Sequence, residues 1–212
     1  MGLVMNSPDM PSPACIHPGL RLARGADRSQ GECALPGAHL FLRPAERRLE
    51  RRARVLATVM FTDIVESTRR AAELGDEEWS RLLDRHDDLA REIVGRYSGV
   101  LAKTTGDGVL ATFAVPDCAV RCAVALQTAV KLIGLELRVG LHAGEVELRC
   151  GDVRGLAVHA AARVMRKCAP GEVLVSRAVA DLLFGARLSF AGRGAHELKG
   201  LPGRWDLYAA GC

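Results

Sequence analysis

Of the 212 residues, 49% are hydrophobic and only 4% aromatic, so the chain can build an aliphatic core of one ordinary domain, with or without a tail. The formal charge of +4 sits at the start: residues 1–54 hold nine Arg against five acids, whereas residues 55–212 are balanced. That balance argues against an extended nucleic-acid surface, and no apolar stretch is long and charge-free enough to span a membrane.

Residues 1–42 are rich in Pro, Gly, Ser and Asp without a sustained period, and a disordered leader is expected there. Residues 43–54 read as a basic linker, a spacer or short solvated helix, with contact to an anionic surface as the sharper alternative. The seven cysteines (15, 33, 118, 122, 150, 168 and 212) form no CxxC pair and no Cys/His zinc spacing, so a reduced, cytoplasmic protein is expected.

From residue 55 the pattern changes. Residues 55–62 read as a buried strand, and 76–97 place Trp79, Leu82, Leu83, Leu89, Ile93, Val94 and Tyr97 on one helical stripe. Two short strands, 99–103 and 109–113, are joined as a hairpin across Thr104, Thr105, Gly106, Asp107 and Gly108. Asp117, behind Pro116, suits a helix cap. Residues 135–149 alternate as a strand interrupted by Gly140 and Gly144. A helix over 156–168, a strand over 171–175, a short helix from Ser176 to Leu183 and strands over 187–192 and 205–209 follow. This order predicts an α+β fold: one mixed or antiparallel, ferredoxin-like or palm-like sheet with helices packed on it.

Asp63 and Asp107 stand where strands give way to turn or helix. Carboxylates so placed suit Mg²⁺ or Mn²⁺ bound together with substrate phosphates, and a converging pair would make a two-metal site. Each also has a plainer reading, as a helix cap or a turn residue. Ile64, Val65, Ser67 and Thr68 follow Asp63 and are expected to open the next helix. Their backbone N–H groups, with the Ser67 and Thr68 hydroxyls, would then hold phosphate oxygens. Lys103 precedes the acidic turn and serves either that site or a surface ion pair. His159 and Arg163, four apart, share a face of an alanine-rich helix; the Arg fork suits an anionic transition state, and a solvated face is the alternative. His142 reads as a packed strand residue and His86 as a helix-face residue.

Five segments occur in order: Phe-Thr-Asp-Ile-Val-Glu-Ser-Thr (61–68), Lys-Thr-Thr-Gly-Asp (103–107), Gly-Leu-His-Ala-Gly-Glu (140–145), the run from Asp152 to Arg163, and Glu-Leu-Lys-Gly (197–200). Over residues 55–209 the chain resembles the catalytic domain of class III nucleotidyl cyclases, most closely bacterial adenylate cyclases. The resemblance implies the class III cyclase fold and conversion of ATP to 3′,5′-cyclic AMP and pyrophosphate, with two Mg²⁺ or Mn²⁺ ions per site. It implies that Asp63 and Asp107 bind metal, with the Ile64 carbonyl a further ligand. Lys103 and Asp152 would recognise adenine, Arg163 would stabilise the α-phosphate in the transition state, and Lys199 would contact the outgoing phosphates. The site would lie between two copies of a homodimer, one supplying the aspartates and the other Lys103, Asp152, His159 and Arg163. His159 stands where the family commonly has Asn, and Glu66 where Gly is frequent. Those departures motivate the alternative of a cyclase-like nucleotide-binding or dimerisation module with little turnover; guanylate cyclase activity is a further alternative.

Overall fold

The computed structural model describes residues 53–149 and 152–211. The expected leader and all but the end of the basic linker lie outside the described residues. In chain order the elements are β1 (Ala53–Ile64), α1 (Ser67–Leu74), α2 (Asp76–Arg96), β2 (Val100–Thr104), β3 (Val109–Phe113), α3 (Pro116–Lys131), β4 (Leu137–Arg149), β5 (Asp152–Arg154), α4 (Leu156–Met165), β6 (Val173–Ser176), α5 (Arg177–Leu182), β7 (Ser189–Glu197) and β8 (Arg204–Gly211). No described helix is long and apolar enough to cross a membrane.

The predicted α+β sandwich is the fold found. One sheet runs β2-β3-β1-β4-β6-β8-β7, with β5 pairing to β4 off this path. All pairings are antiparallel except β4 with β6. β1 is central, and its long register with β4 runs from Ala53↔Leu148 to Ile64↔Leu137. Alternation of side chains along β1 and β3 sorts the core into two layers. Met60, Ile64, Val109, Ala111 and Phe113 pack under α2 and α3, whereas Ala57, Val59 and Leu110 face Ala157 and Ala161 of α4.

Local chemistry explains the helix ends. α2 opens with Asp76, Glu77 and Glu78 and closes with Arg96, matching the helix dipole at both ends. α3 opens with Pro116, whose missing N–H is not needed in a first turn. α4 lies directly on β4 because Gly140 has no side chain; a Cβ there would stand 2.5 Å from the Met165 Cα.

Several expectations are corrected. Asp117 does not cap α3, whose N-cap is Val115; it sits in the first turn and pairs with Arg121 at 2.8 Å. The helix expected over 156–168 ends at Met165, and β5 was not foreseen. Among the described residues, Cys122 and Cys168 are free and buried. His86 is fully buried. It falls on the α2 stripe with Leu82, Leu83, Ala90 and Ile93, so the helical period carries it inward. Its Nδ1 lies 3.0 Å from Asp87 Oδ1, and its Nε2 has no hydrogen-bond partner.

Candidate active site

The end of β1 and the β2–β3 turn are locked together by hydrogen bonds. The Ile64 N–H donates to the Asp107 carbonyl at 2.8 Å, and the Val109 N–H donates to Thr62 Oγ1 at 2.9 Å. Gly108 makes this approach possible: a Cβ there would stand 2.8 Å from the Thr62 carbonyl carbon and closer still to its oxygen. The turn is closed by the Thr105 N–H on the Gly108 carbonyl at 2.8 Å, with Gly106 at φ +93°. Asp63 and Asp107 are thereby brought to one place.

Burial and, next, the charge of Asp107 raise the carboxyl pKa of Asp63 above its ordinary value, against the opposing pull of Arg138 and Arg166. Arg138, opposite Asp63 in the β1–β4 register, donates to Asp63 Oδ2 at 3.4 Å. Ser67 Oγ donates to Asp107 Oδ2 at 2.7 Å. Two converging carboxylates that repel one another fit a hard divalent cation. Among the described residues no group of three or more His, Cys, Asp or Glu could hold a metal. Such a pair therefore leaves most of an ion's coordination to waters and phosphate oxygens, as Mg²⁺ prefers.

The expected phosphate cradle is smaller than the sequence suggested. β1 runs through Ile64, and the helix begins only at Ser67. The Ile64 N–H is taken by Asp107, and the Val65 N–H donates to the Glu136 carbonyl at 2.8 Å. Those two donors are spent on the fold. The first turn of α1, with Ser67 and Thr68, keeps the N–H groups that a helix start leaves unpaired. Glu66 adopts the left-handed conformation, φ 56°, which accounts for the frequency of Gly at that place in the family it resembles. Its carboxylate pairs with Arg69.

Lys103 and Asp152, 49 residues apart, meet at 3.2 Å between Nζ and Oδ1. Asp152 is also held by its neighbours: the Val153 N–H donates to Oδ1 at 3.0 Å and Arg154 Nε to Oδ2 at 3.1 Å. These bonds, that of Arg154 first, hold the Asp152 pKa below its ordinary value. Arg163, half-buried near the end of α4, donates from Nε to the Lys199 carbonyl at 3.0 Å. Lys199 lies in the β7–β8 connection, and His159 is exposed one turn before Arg163.

Asp63 thus meets Asp107, Lys103 meets Asp152, and Arg163 meets Lys199, while no hydrogen bond or ion pair among the described residues joins the first pair to the second. Arg138 and Arg154 escaped the sequence reading. Arg138 is opposite Asp63 only through the β1–β4 register, whereas Arg154 follows Asp152 by two, the spacing of one strand face. His142 is the packed strand residue expected: burial lowers its pKa, Nδ1 lies 2.8 Å from Ser176 Oγ, and its ring meets Trp205 edge-on at 5.3 Å.

Residues 50–210 match the family model described as the adenylate and guanylate cyclase catalytic domain. The chain is 33% identical over 159 residues to the serine/threonine-protein kinase pkn2 of Myxococcus xanthus, covering 71% of this chain and 19% of that protein. It is 33% identical over 133 residues to an adenylate cyclase of Streptomyces coelicolor, covering 61% of this chain and 34% of the relative. The crystal structure of the adenylyl cyclase CyaB from P. aeruginosa superposes with a TM-score of 0.71 at 22% identity, covering 76% of this chain and 95% of that one, a likeness of fold. The chain spans between 19% and 52% of the length of the first curated relatives it matches.

Proposed function

Since the chain belongs to the adenylate and guanylate cyclase catalytic domain family, we propose that it is an adenylate cyclase that forms 3′,5′-cyclic AMP and pyrophosphate from ATP. The ribose 3′-hydroxyl attacks the α-phosphorus and pyrophosphate departs, at a site shared between two copies of the chain. The observation that carries this reading is the ion pair between Lys103 and Asp152 at 3.2 Å, which offers one donor and one acceptor side by side for a purine edge.

Asp63 and Asp107, with the Ile64 carbonyl, would hold two Mg²⁺ or Mn²⁺ ions in this reading. When bound, such ions neutralise phosphate charge and favour ionisation of the attacking hydroxyl. The chain's own residues do the positioning. Ser67 Oγ fixes Asp107, and the first turn of α1 receives phosphate oxygens with the Thr68 hydroxyl beside it. Arg138 adds positive charge next to Asp63. Arg163 is tied through Nε to Lys199, which leaves its terminal NH₂ groups for the α-phosphate; Lys199 meets the departing phosphates. His159, on the same helix face, orients the ribose by a hydrogen bond where relatives use an amide. No side chain is assigned as general base, because positioning and fixed charge carry reactions of this kind.

A nearly inactive nucleotide-binding or dimerisation module is the competing reading, and His159 is the residue that favours it. Incubating the full chain with ATP or GTP and Mg²⁺ or Mn²⁺, then identifying the cyclic product, separates the two. Cyclic AMP from the wild type and none from Asp107→Ala is the expected result. Activity that survives Asp107→Ala would sink the metal assignment.

A further inference from the structure

We propose that Arg154 is the positioning residue that sets adenine above guanine in the base pocket, an inference that rests on the assignment of Lys103 and Asp152 to the purine edge. Asp152 shares its two carboxylate oxygens among three donors. Oδ1 accepts from Lys103 Nζ at 3.2 Å and from the Val153 N–H at 3.0 Å; Oδ2 accepts from Arg154 Nε at 3.1 Å. β5 is a strand, so Arg154 and Asp152 project to the same side, and the clamp is built into the backbone.

Adenine presents an amine donor and, beside it, a ring-nitrogen acceptor. Guanine carries an oxygen acceptor where the amine stands and an N–H at the ring position. For adenine, Lys103 turns from Oδ1 to the ring nitrogen, and Oδ1 accepts from the amine. Arg154 and the Val153 N–H keep the carboxylate ionised and in place while the lysine leaves. Guanine pairs with the same two side chains only if they trade places, carboxylate to ring N–H and ammonium to oxygen. Lys103, on a flexible four-carbon stem, can move that far. Asp152, gripped at both oxygens by its own strand, cannot. Removing Arg154 frees Oδ2 and allows the swap.

Arg154 has a side chain 61% exposed, so its substitution leaves the core intact. The test measures kcat and KM for ATP and for GTP in the full-length wild type, Arg154→Ala and Arg154→Lys. Dissociation constants of the non-cyclisable α,β-methylene analogues of both nucleotides are measured with Mn²⁺ alongside. In Arg154→Ala the ATP-to-GTP ratio of kcat/KM and the matching binding ratio fall about fivefold, the upper end for an exposed charge pair. The change lies in KM rather than kcat, and Arg154→Lys restores most of it. Ratios in Arg154→Ala equal to wild type overturn the inference. A wild type that binds both analogues but makes no cyclic product overturns the cyclase reading alone, and the binding ratio then decides the role of Arg154. A wild type that binds neither analogue overturns both.

Discussion

Replacing Gly108 by Ala adds one methyl group at the point where the β2–β3 turn meets β1. The added carbon would lie 2.8 Å from the Thr62 carbonyl carbon and 3.3 Å from the Asp63 Cα, both backbone atoms of the central strand. Neither atom can swing aside, so the turn has to retreat. Overpacking of this kind costs about 1–3 kcal/mol. Retreat also strains the Ile64–Asp107 and Val109–Thr62 hydrogen bonds, each worth about 1 kcal/mol net. Together they amount to about 3–5 kcal/mol, which in a domain of this size lowers Tm by roughly 6–20 °C. The site is affected more than the fold. With the metal assignment and activity proposed above, a shift of about 1 Å between Asp107 and Asp63 is expected to weaken Mn²⁺ binding by tenfold or more and to cost about 100-fold in turnover. Calorimetry gives the melting shift, electron paramagnetic resonance of free Mn²⁺ the binding loss, and initial rates the turnover. Gly106→Ala is the internal control: its φ is +93° but nothing lies within 4 Å of the new carbon, so it costs about 1–2 kcal/mol of backbone strain without a collision. A Gly108→Ala protein that melts with the wild type and binds Mn²⁺ equally well would refute the reasoning.

Three further outcomes are expected. Mixing inactive Asp107→Ala with inactive Arg163→Ala restores about a quarter of wild-type activity, since half of randomly paired dimers are mixed and each regains one of two sites; no recovery in verified mixed dimers counts against a shared site. Burial lowers the His142 pKa below 6.5, so below that pH the unfolded chain binds the proton more readily than the folded one. His142 therefore contributes stability that is present above its unfolded pKa and lost as pH falls, and urea melts of His142→Asn should show a shallower loss between about pH 7.5 and 5.5. His86→Leu replaces a buried ring whose Nε2 is unpaired, and chemical denaturation should show a gain of about 1 kcal/mol; a loss of stability would mean that the Nδ1 contact with Asp87 outweighs the unpaired Nε2.

The sequence made the element order legible because the two periods, helical over α2 and alternating over β1 and β3, are strong and bounded by turn residues. It also marked Asp63 and Asp107, since carboxylates between small residues at strand ends stand out in one dimension. It misjudged what depends on distant backbone. The Ile64 and Val65 N–H groups looked available, yet their partners are the carbonyls of Asp107 and Glu136, supplied by other parts of the fold. Arg138 reaches Asp63 only through strand register, a relation that neither segment carries alone. β5 has three residues, too few for a period, so Arg154 went unnoticed beside Asp152. His86 is the helix-face residue expected, and its burial follows from the stripe that turns Leu82 and Leu83 inward.

The closed contact between Lys103 and Asp152 has a thermodynamic consequence for any ligand that parts them. The bond broken and the bonds formed are of one kind, so insertion is an exchange with little net gain. Discrimination survives this exchange, because a ligand with the wrong edge breaks the contact and regains only the bond that Lys103 can swing to make. If the pair is the base pocket proposed above, it reads a base without gripping it. Under the proposed cyclase reading, retention then falls to the phosphates, and a bare nucleoside, or a product without its pyrophosphate, is expected to depart easily.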